Sequence, residues 1–409
     1  MQRFLRTRLT HSHEVSNLAR SIGIRLAFEF PVQIFGEDHE KLNVKRTVPA
    51  LMAAIGLAHD LGNPPFGHQG ELAIRDWFVR NSKDTFRRED IKDFENFDGN
   101  AQTFRLVTRL QILNDDFGLN LTYAMLSALL KYPTFWSSID ESPYKKAGIF
   151  KSEEDIANDV WKETGLKQEA RHPLTYLMEA CDDIAYSVLD AEDTVKKGYA
   201  SFYDLIDFLQ HNGLGDRVTE DLIDSSLEKN REFKNENLSP RELNDISMQM
   251  FRVKAISSMI NPIVEEFASN SSMIMANEYE GTLIESTIAS NLCKQLKKFD
   301  FELGYKNKNV LELELRGANY IHSLMDMLWH AIESEGNETG DLFTVYAMES
   351  ISENYKRIYK RELREGKHSK SYIQAQLLAD TISGMTDSYL ISLHDELRPL
   401  YDGSHHTCS

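Results

Sequence analysis

The apolar run Val48–Ala58 constrains this chain more than any other stretch. It is far short of the roughly 20 apolar residues that a membrane-crossing helix needs, so it reads as a buried helix at about 47–61. That helix must stop where Gly62 and Pro64-Pro65 follow it, because proline disfavours helical geometry in the residue before it. Its last residues are His59 and Asp60. A core helix that ends in an imidazole and a carboxylate delivers two metal-competent side chains to the edge of an apolar interior.

The rest of the chain has the composition of a helical globule. Only 21 Gly and 10 Pro punctuate 409 residues, and long amphipathic stretches lie between them. Hydrophobic residues make up 41% and charged residues 27%, a balance that excludes a disordered chain. The formal net charge of -18 repels anions at long range and argues against a dedicated nucleic-acid binder. Cys181, Cys293 and Cys408 form no paired motif, which fits a reducing cytoplasm. The first residues, Met1 to Leu5, carry no apolar stretch of signal-peptide length, and no membrane partner is expected.

The expected fold class is all-α. The periodicity predicts helices at 8–28, with Val15, Leu18, Ala19, Ile22 and Leu26 on one side, and at 67–80, carrying Glu71, Leu72, Ile74 and Trp77. Further helices are expected at 100–113, 121–131 and 174–196, then in succession to about residue 400. Residues 30–46 and 81–98 read as loops, 133–172 as an insert, 228–240 and 334–340 as charged loops, and 403–409 as a disordered tail.

Divalent cations need convergent nitrogen and oxygen ligands, and His with Asp suits Mn, Fe, Co, Ni, Zn and, less well, Mg. His59 and Asp60 are candidates, with His11 approaching from the first helix. The fourth ligand is sought on 176–190, where Asp182, Tyr186 and Asp190 fall at i, i+4 and i+8 on one face of an otherwise apolar helix. A lone histidine on a helix is more often a surface or capping residue than a ligand; the joint pattern is what carries the reading. Beyond the prolines, His68 and Glu71 lie at i and i+3, close enough for the carboxylate to orient and polarise the imidazole as a general acid or base.

Three stretches together resemble the deoxyguanosinetriphosphate triphosphohydrolases of the HD-domain phosphohydrolase superfamily. They are Arg6-Thr7-Arg8-Leu9-Thr10-His11-Ser12, the run from Ala58-His59-Asp60 through Pro64-Pro65-Phe66-Gly67-His68 to Glu71, and Glu179-Ala180-Cys181-Asp182-Asp183-Ile184-Ala185-Tyr186-Ser187. The resemblance runs from Arg6 to about Gly198, with further pieces at 98–102, 130–133 and 383–387. It implies an HD-domain helical bundle in residues 1–200 with additional C-terminal helices in 201–402. It further implies one divalent metal on His11, His59, Asp60 and Asp182, and a catalytic pair in His68 and Glu71. Asp182 is chosen over Asp183 because it stands four residues before Tyr186, the family's sugar-contacting tyrosine. Arg8, Asn100, Lys131 and Tyr132 match positions near the substrate phosphates, and Tyr186 and Asp190 match the sugar side. The implied reaction is attack of water on the α-phosphorus of a dNTP, dGTP preferred, to give a deoxynucleoside and intact triphosphate. A cytoplasmic homo-oligomer, a hexamer in related enzymes, is the expected assembly.

The chain departs from the family pattern in two places. Ten residues precede His11 here, where family members usually carry several tens that help form the base and sugar pocket. His13 stands at a position that is usually apolar. Two other functions therefore compete with the first: another HD-type nucleotide phosphohydrolase, and a nucleotide-responsive regulatory protein with little catalysis. Lys356, Arg357, Lys360, Arg361, Arg364, Lys367 and Lys370 form a local basic cluster. It reads either as a site for a nucleotide effector or single-stranded DNA, or as a solvated helix face offset by Glu362 and Glu365.

Overall fold

The computed structural model describes residues 8–85, 90–111, 117–335 and 341–405. Arg6, Thr7, Cys408 and parts of the expected loops at 81–98 and 334–340 lie outside them, as does the end of the tail. The chain is all-α. In order, the helices are α1 (Arg8–Glu29), α2 (Pro31–Phe35), α3 (Val44–Ala58), α4 (Gly67–Thr85), α5 (Lys92–Glu95), α6 (Gly99–Arg105), α7 (Tyr123–Leu129), α8 (Glu154–Thr164) and α9 (Pro173–Lys196). They continue as α10 (Phe202–Asn212), α11 (Arg217–Lys234), α12 (Pro240–Ser269), α13 (Ser271–Met275) and α14 (Ser290–Phe299). The last are α15 (Lys308–Ser334), α16 (Leu342–Glu349), α17 (Glu353–Glu365), α18 (Lys370–Ser383) and α19 (Asp387–His405). The described residues contain no strand, only an isolated bridge between Phe135 and Ile149. None of their helices is long and apolar enough to cross a membrane.

Local chemistry sets the ends of these helices. Pro173 starts α9 at a position where its missing N–H costs nothing, and the His172 imidazole accepts from the Leu174 N–H at 3.1 Å. Burial pushes His172 down to about 4, so the ring is neutral and free to accept. Ser239 and Glu242 close a reciprocal cap on α12, and Ser201 with Asp204 does the same for α10. Gly165 and Gly366 end α8 and α17 in the left-handed conformation.

The loop expected at 30–46 holds α2, which Pro31 opens and Gly36 closes at φ 71°. Residues 81–98 are helical to Thr85 and again in α5, because Ile91, Phe94 and Phe97 anchor that segment in the core. The charged stretch from 228 stays helical to Lys234. Its apolar and small residues Leu222, Ile223 and Ser226 are buried, while Lys229 and Glu232 pair at 2.6 Å, so the charge density marks a wet face and not a break. Helix α19 runs three residues into the expected tail.

The chain folds as two compact, interleaved units. Unit 1 is built from the described residues of Met1–Ala58 and His172–Leu311, and unit 2 from those of His59–Arg171 and Glu312–Ser409. In unit 1, α1 packs on α3 and α9. Val15, Ala19, Ile22 and Leu26 of α1 are fully buried. Gly56 permits the close approach, since a Cβ there would lie 2.9 Å from the Ser16 Cα, and the Ser16 hydroxyl donates to the Ala53 carbonyl at 2.7 Å. Full burial of each large apolar side chain contributes about 1.5–3 kcal/mol.

Unit 2 is organised around Phe78, Phe94, Phe97 and Tyr372, with Phe94 5.1 Å from Phe78 and 5.2 Å from Tyr372 between ring centres. Beside them Arg105 is buried and bound to Glu153 at 2.7 Å, Asp380 at 2.9 Å and Glu362 at 3.1 Å. Burial raises Glu153 to about 7 despite Arg105. Cys181 and Cys293 are buried free thiols.

Candidate metal and catalytic site

Unit 1 turns the first and last predicted ligands toward each other. His11 lies one turn before Val15 on the stripe by which α1 packs against its neighbours, and Asp182 lies on α9. The His11 Nε2 is 3.4 Å from the Asp182 Oδ1. Asp183 points elsewhere, to Lys297 on α14 at 2.6 Å. Arg8 stands exposed at the start of α1.

Unit 2 begins with the second pair. Helix α3 ends at Ala58, and the next two residues bring the His59 Nε2 to 3.3 Å from the Asp60 Oδ1. The turn is locked from below: the Thr103 hydroxyl donates to the His59 carbonyl at 3.2 Å and accepts from the Gly62 N–H at 2.9 Å. No side chain fits at Gly62, whose Cβ would lie 2.1 Å from the Thr103 nitrogen. Two ligands of one cation at bond lengths near 2.1 Å are separated by about 3.0 Å in an octahedron and about 3.4 Å in a tetrahedron. Both His–Asp contacts have that spacing, and their nitrogen–oxygen donor set suits a first-row divalent ion.

The Asn63–Glu71 segment shows why its glycines and prolines stand where they do. Phe66 adopts φ 61°, a strained conformation for a bulky residue. Its N–H is held by Asp387 at 3.0 Å, and Gly317 leaves room for its ring. Gly70 is obligatory, because a Cβ would lie 1.8 Å from the Pro65 carbonyl oxygen. This turn starts α4 so that His68 Nδ1 sits 3.3 Å from the Glu71 Oε2. The other carboxylate oxygen accepts from the Gly99 N–H at 2.7 Å. Glu71 is therefore fixed and buried, whereas the His68 side chain is 66% exposed.

The predicted phosphate contacts divide into two environments in unit 2. Asn100 donates its amide to the Asp98 cap of α6 at 2.7 Å. Lys131 lies over the Tyr132 ring, 5.9 Å from its centre. Lys146, absent from the sequence reading, lies over the same ring at 5.8 Å and reaches Asp98 at 2.8 Å. Burial works against both charges of that pair, but their mutual attraction outweighs it, lowering Asp98 and raising Lys146. The only sequence signal for Lys146 was its place in a long insert.

On α9 the i, i+4, i+8 stripe meets partners inside unit 1. Tyr186 stacks on Tyr305 with ring centres 6.2 Å apart. The Tyr305 hydroxyl donates to the Asp190 Oδ2 at 2.5 Å. Burial raises Asp190 and Tyr186 above their usual ranges. Tyr305 escaped the sequence reading because it comes from a π-turn, Asp300–Tyr305, which no simple periodicity reports.

The 356–370 cluster lies in unit 2 and is mostly exposed, at Arg357, Lys360, Arg364, Lys367 and Lys370. Lys356 is buried and bound to Glu353 at 2.7 Å and Glu349 at 3.3 Å. Lys367 reaches Glu365 at 3.6 Å and Asp155 at 3.8 Å. Arg361, Lys367 and His368 line a cavity of about 380 Å³ together with Arg109 and four carboxylates. Opposite charges alternate there, as on a solvated face.

Comparison with known proteins gives concordant results. A family model described as HD domain matches residues 8–130, and one described as phosphohydrolase-associated domain matches 283–396. A Listeria monocytogenes protein named deoxyguanosinetriphosphate triphosphohydrolase-like is 33% identical over 97% of this chain and 87% of its own length. A Synechocystis protein of the same name is 29% identical over 96% and 86%. A Yersinia pseudotuberculosis protein named deoxyguanosinetriphosphate triphosphohydrolase is 28% identical over 97% and 87%.

Proposed function

We propose, since the chain belongs to the deoxyguanosinetriphosphate triphosphohydrolase family of HD-domain phosphohydrolases, that it hydrolyses dNTPs, dGTP first, at the α-phosphorus. The products are a deoxynucleoside and intact inorganic triphosphate. The observation that carries this reading is the pair of His–Asp contacts at ligand spacing, His11–Asp182 and His59–Asp60, in a chain of that family. The four side chains would together hold one divalent ion, with Mn, Mg, Fe, Co, Ni and Zn all acceptable to such donors. That ion would supply Lewis-acid polarisation of the α-phosphoryl oxygen and lower the pKa of a bound water.

The protein's own groups do the rest. As the water oxygen bonds to the α-phosphorus, the bond from phosphorus to the 5′ oxygen breaks, and that oxygen needs a proton. His68 is exposed enough to take a proton from water or to give one to the leaving oxygen. Glu71 orients it and stabilises its charged form from a fixed position. Arg8, Asn100, Lys131 and Tyr132 would contact the phosphates, where positioning and charge neutralisation dominate the catalysis of phosphoryl transfer. Tyr186 and Asp190 would contact the deoxyribose. The reading keeps residues 1–200 as the metal-site core and 201–402 as a C-terminal region, although the compact units do not divide at that position. The reading includes a cytoplasmic, self-associating enzyme. It assigns no DNA or effector role to the 356–370 cations, of which Lys356, Arg361 and Lys367 are paired with carboxylates.

The test is incubation with each dNTP and Mn²⁺ or Mg²⁺, followed by chromatographic separation of products. Deoxynucleoside with triphosphate is the expected result. Release of orthophosphate or pyrophosphate would replace this reading with another HD-type phosphohydrolase, and dNTP binding without turnover would replace it with a regulatory role.

A further inference from the structure

Unit 1 carries an open groove of about 550 Å³ between α1 and α3. Ile24 and Phe28 line it from α1, and Pro49, Ala50 and Ala53 from α3. The α3 side chains are short, so another backbone can come close, while Phe28 is 58% exposed. Arg20, Lys45 and Arg46 complete the lining, and the Lys45 ammonium lies 5.2 Å from the centre of the Phe28 ring. No carboxylate lines the groove, and none of the three cations is paired with one among the described residues. In a chain of net charge -18 such a surface selects an occupant that is apolar and acidic.

Unit 2 carries a face of the opposite kind. Helix α16 buries Phe343, Thr344, Ala347 and Met348, yet its other side is apolar too. Leu342, Val345 and Tyr346, at i, i+3 and i+4, are exposed, Leu342 by 88% and Val345 by 56%. A helix that is apolar all round is normally covered on every side. Anchors at that spacing are those with which a helix enters an apolar groove. The helix contains no Lys or Arg. Asp341 caps it, Glu349 ends it, and Glu396 of α19 accepts from the Tyr346 hydroxyl. Lys356 offsets one charge at its end, where Glu349 and Glu353 share the ammonium.

We propose that α16 of one copy docks in the α1–α3 groove of a second copy, a head-to-tail contact between two different surfaces of the same chain. Pairing α16 with its own copy would set Asp341, Glu349 and Glu396 against the same three acids. Pairing groove with groove would set three cations against three. Like charges across an interface oppose association, and opposite charges favour it. The crossed pairing satisfies both sets of charges and covers both apolar faces, and every copy supplies the two surfaces in equal amount. One copy can give its helix and receive another's, so the contact repeats from copy to copy until the assembly closes. The inference names the surfaces behind the self-association in the proposed function, on which it rests; the reaction is independent of it.

The experiment measures mass by sedimentation velocity across a concentration series, on the full chain and two variants. Leu342→Asp with Val345→Asp removes the anchors of the helix; Arg20→Glu with Arg46→Glu reverses the charge of the groove. All four positions are exposed, so both variants should melt close to the wild type. Val345→Ser and Arg46→Gln are milder replacements with a smaller shift in the same direction. Each variant alone should dissociate at concentrations about tenfold or more above those for the wild type. Mixed in equal amounts, the two should regain a complex that neither forms alone, because each keeps the surface that the other lacks. A contact between like surfaces gives no such rescue. Variants of wild-type mass, or a mixture that gains none, overturn the pairing and leave self-association in place. A monomeric wild type overturns both and leaves the reaction to its product analysis. Products other than triphosphate, with the rescue intact, overturn the reaction and leave the contact standing.

Discussion

Two histidine–carboxylate pairs in unit 2 share one separation, 3.3 Å, and have opposite surroundings. In His59–Asp60 the imidazole side chain is 5% exposed and the carboxylate 26%. In His68–Glu71 the imidazole is 66% exposed and the carboxylate 10%. The anchored partner differs. His59 is held by its own packing and by Thr103 at its carbonyl, so its ring nitrogen has a fixed position, as a metal ligand requires. His68 is held through Glu71, which the Gly99 N–H fixes, so its ring meets solvent with a set orientation, as a proton carrier requires. Residue type and distance do not separate these roles; burial does.

If the difference is functional, the two pairs fail differently when cut. We predict the largest effect from His59→Ala: bound metal falls to background, and dNTP turnover falls with it. Metal content measured by plasma mass spectrometry on the purified variant checks this. Normal metal with a normal rate would erase the distinction. Next comes His68→Ala, which should keep its metal and lose about 10²–10⁴ in kcat, the usual contribution of an acid–base group. Loss of metal in this variant would put His68 in the same class as His59. Glu71→Gln should lose less, about 10–10² in kcat. The amide oxygen can still accept from Gly99, and only the charge that stabilises the protonated imidazole is gone.

The parts of the site that could be read in advance are those a short segment encodes. Pro64 and Pro65 bar α3 from continuing past them, although it already stops at Ala58, short of the expected 61, and the periodicity of α9 puts Asp182, Tyr186 and Asp190 on one face. The spacing of His68 and Glu71 was enough to predict their contact. Lys146 and Tyr305 were not readable, because each reaches its partner across a long chain separation and from irregular backbone. Tyr305 lies 115 positions from Asp190, and no local pattern encodes that meeting. The fold behaved likewise. All-α character followed from sparse glycine and proline, but the charged face of α11 was mistaken for a loop because composition weighs charge without its orientation. The interleaving of the two units has no local signature at all.

Lys146 offers the smallest and most selective test of the contrast between the two pairs. It binds Asp98 at 2.8 Å, and its charge also acts on Glu71, so it belongs to the surroundings of the second pair. Asp98 in turn meets Arg75 at 3.5 Å, and Arg75 lies 4.0 Å from Glu71. Removing the ammonium leaves Arg75 to serve both carboxylates and weakens its hold on each. The Lys146 side chain is 40% exposed, so solvent screens most of the effect. A partly exposed ion pair is worth about 0.5–1 kcal/mol, which corresponds to about a two- to fivefold change. We predict that Lys146→Met lowers kcat/KM for dGTP by that factor and leaves metal content unchanged. The loss should shrink further in a Glu71→Gln background, where the charge that Lys146 supports is already absent. An undiminished loss in the double variant would show that Lys146 acts on the substrate directly, through the Tyr132 side of the site.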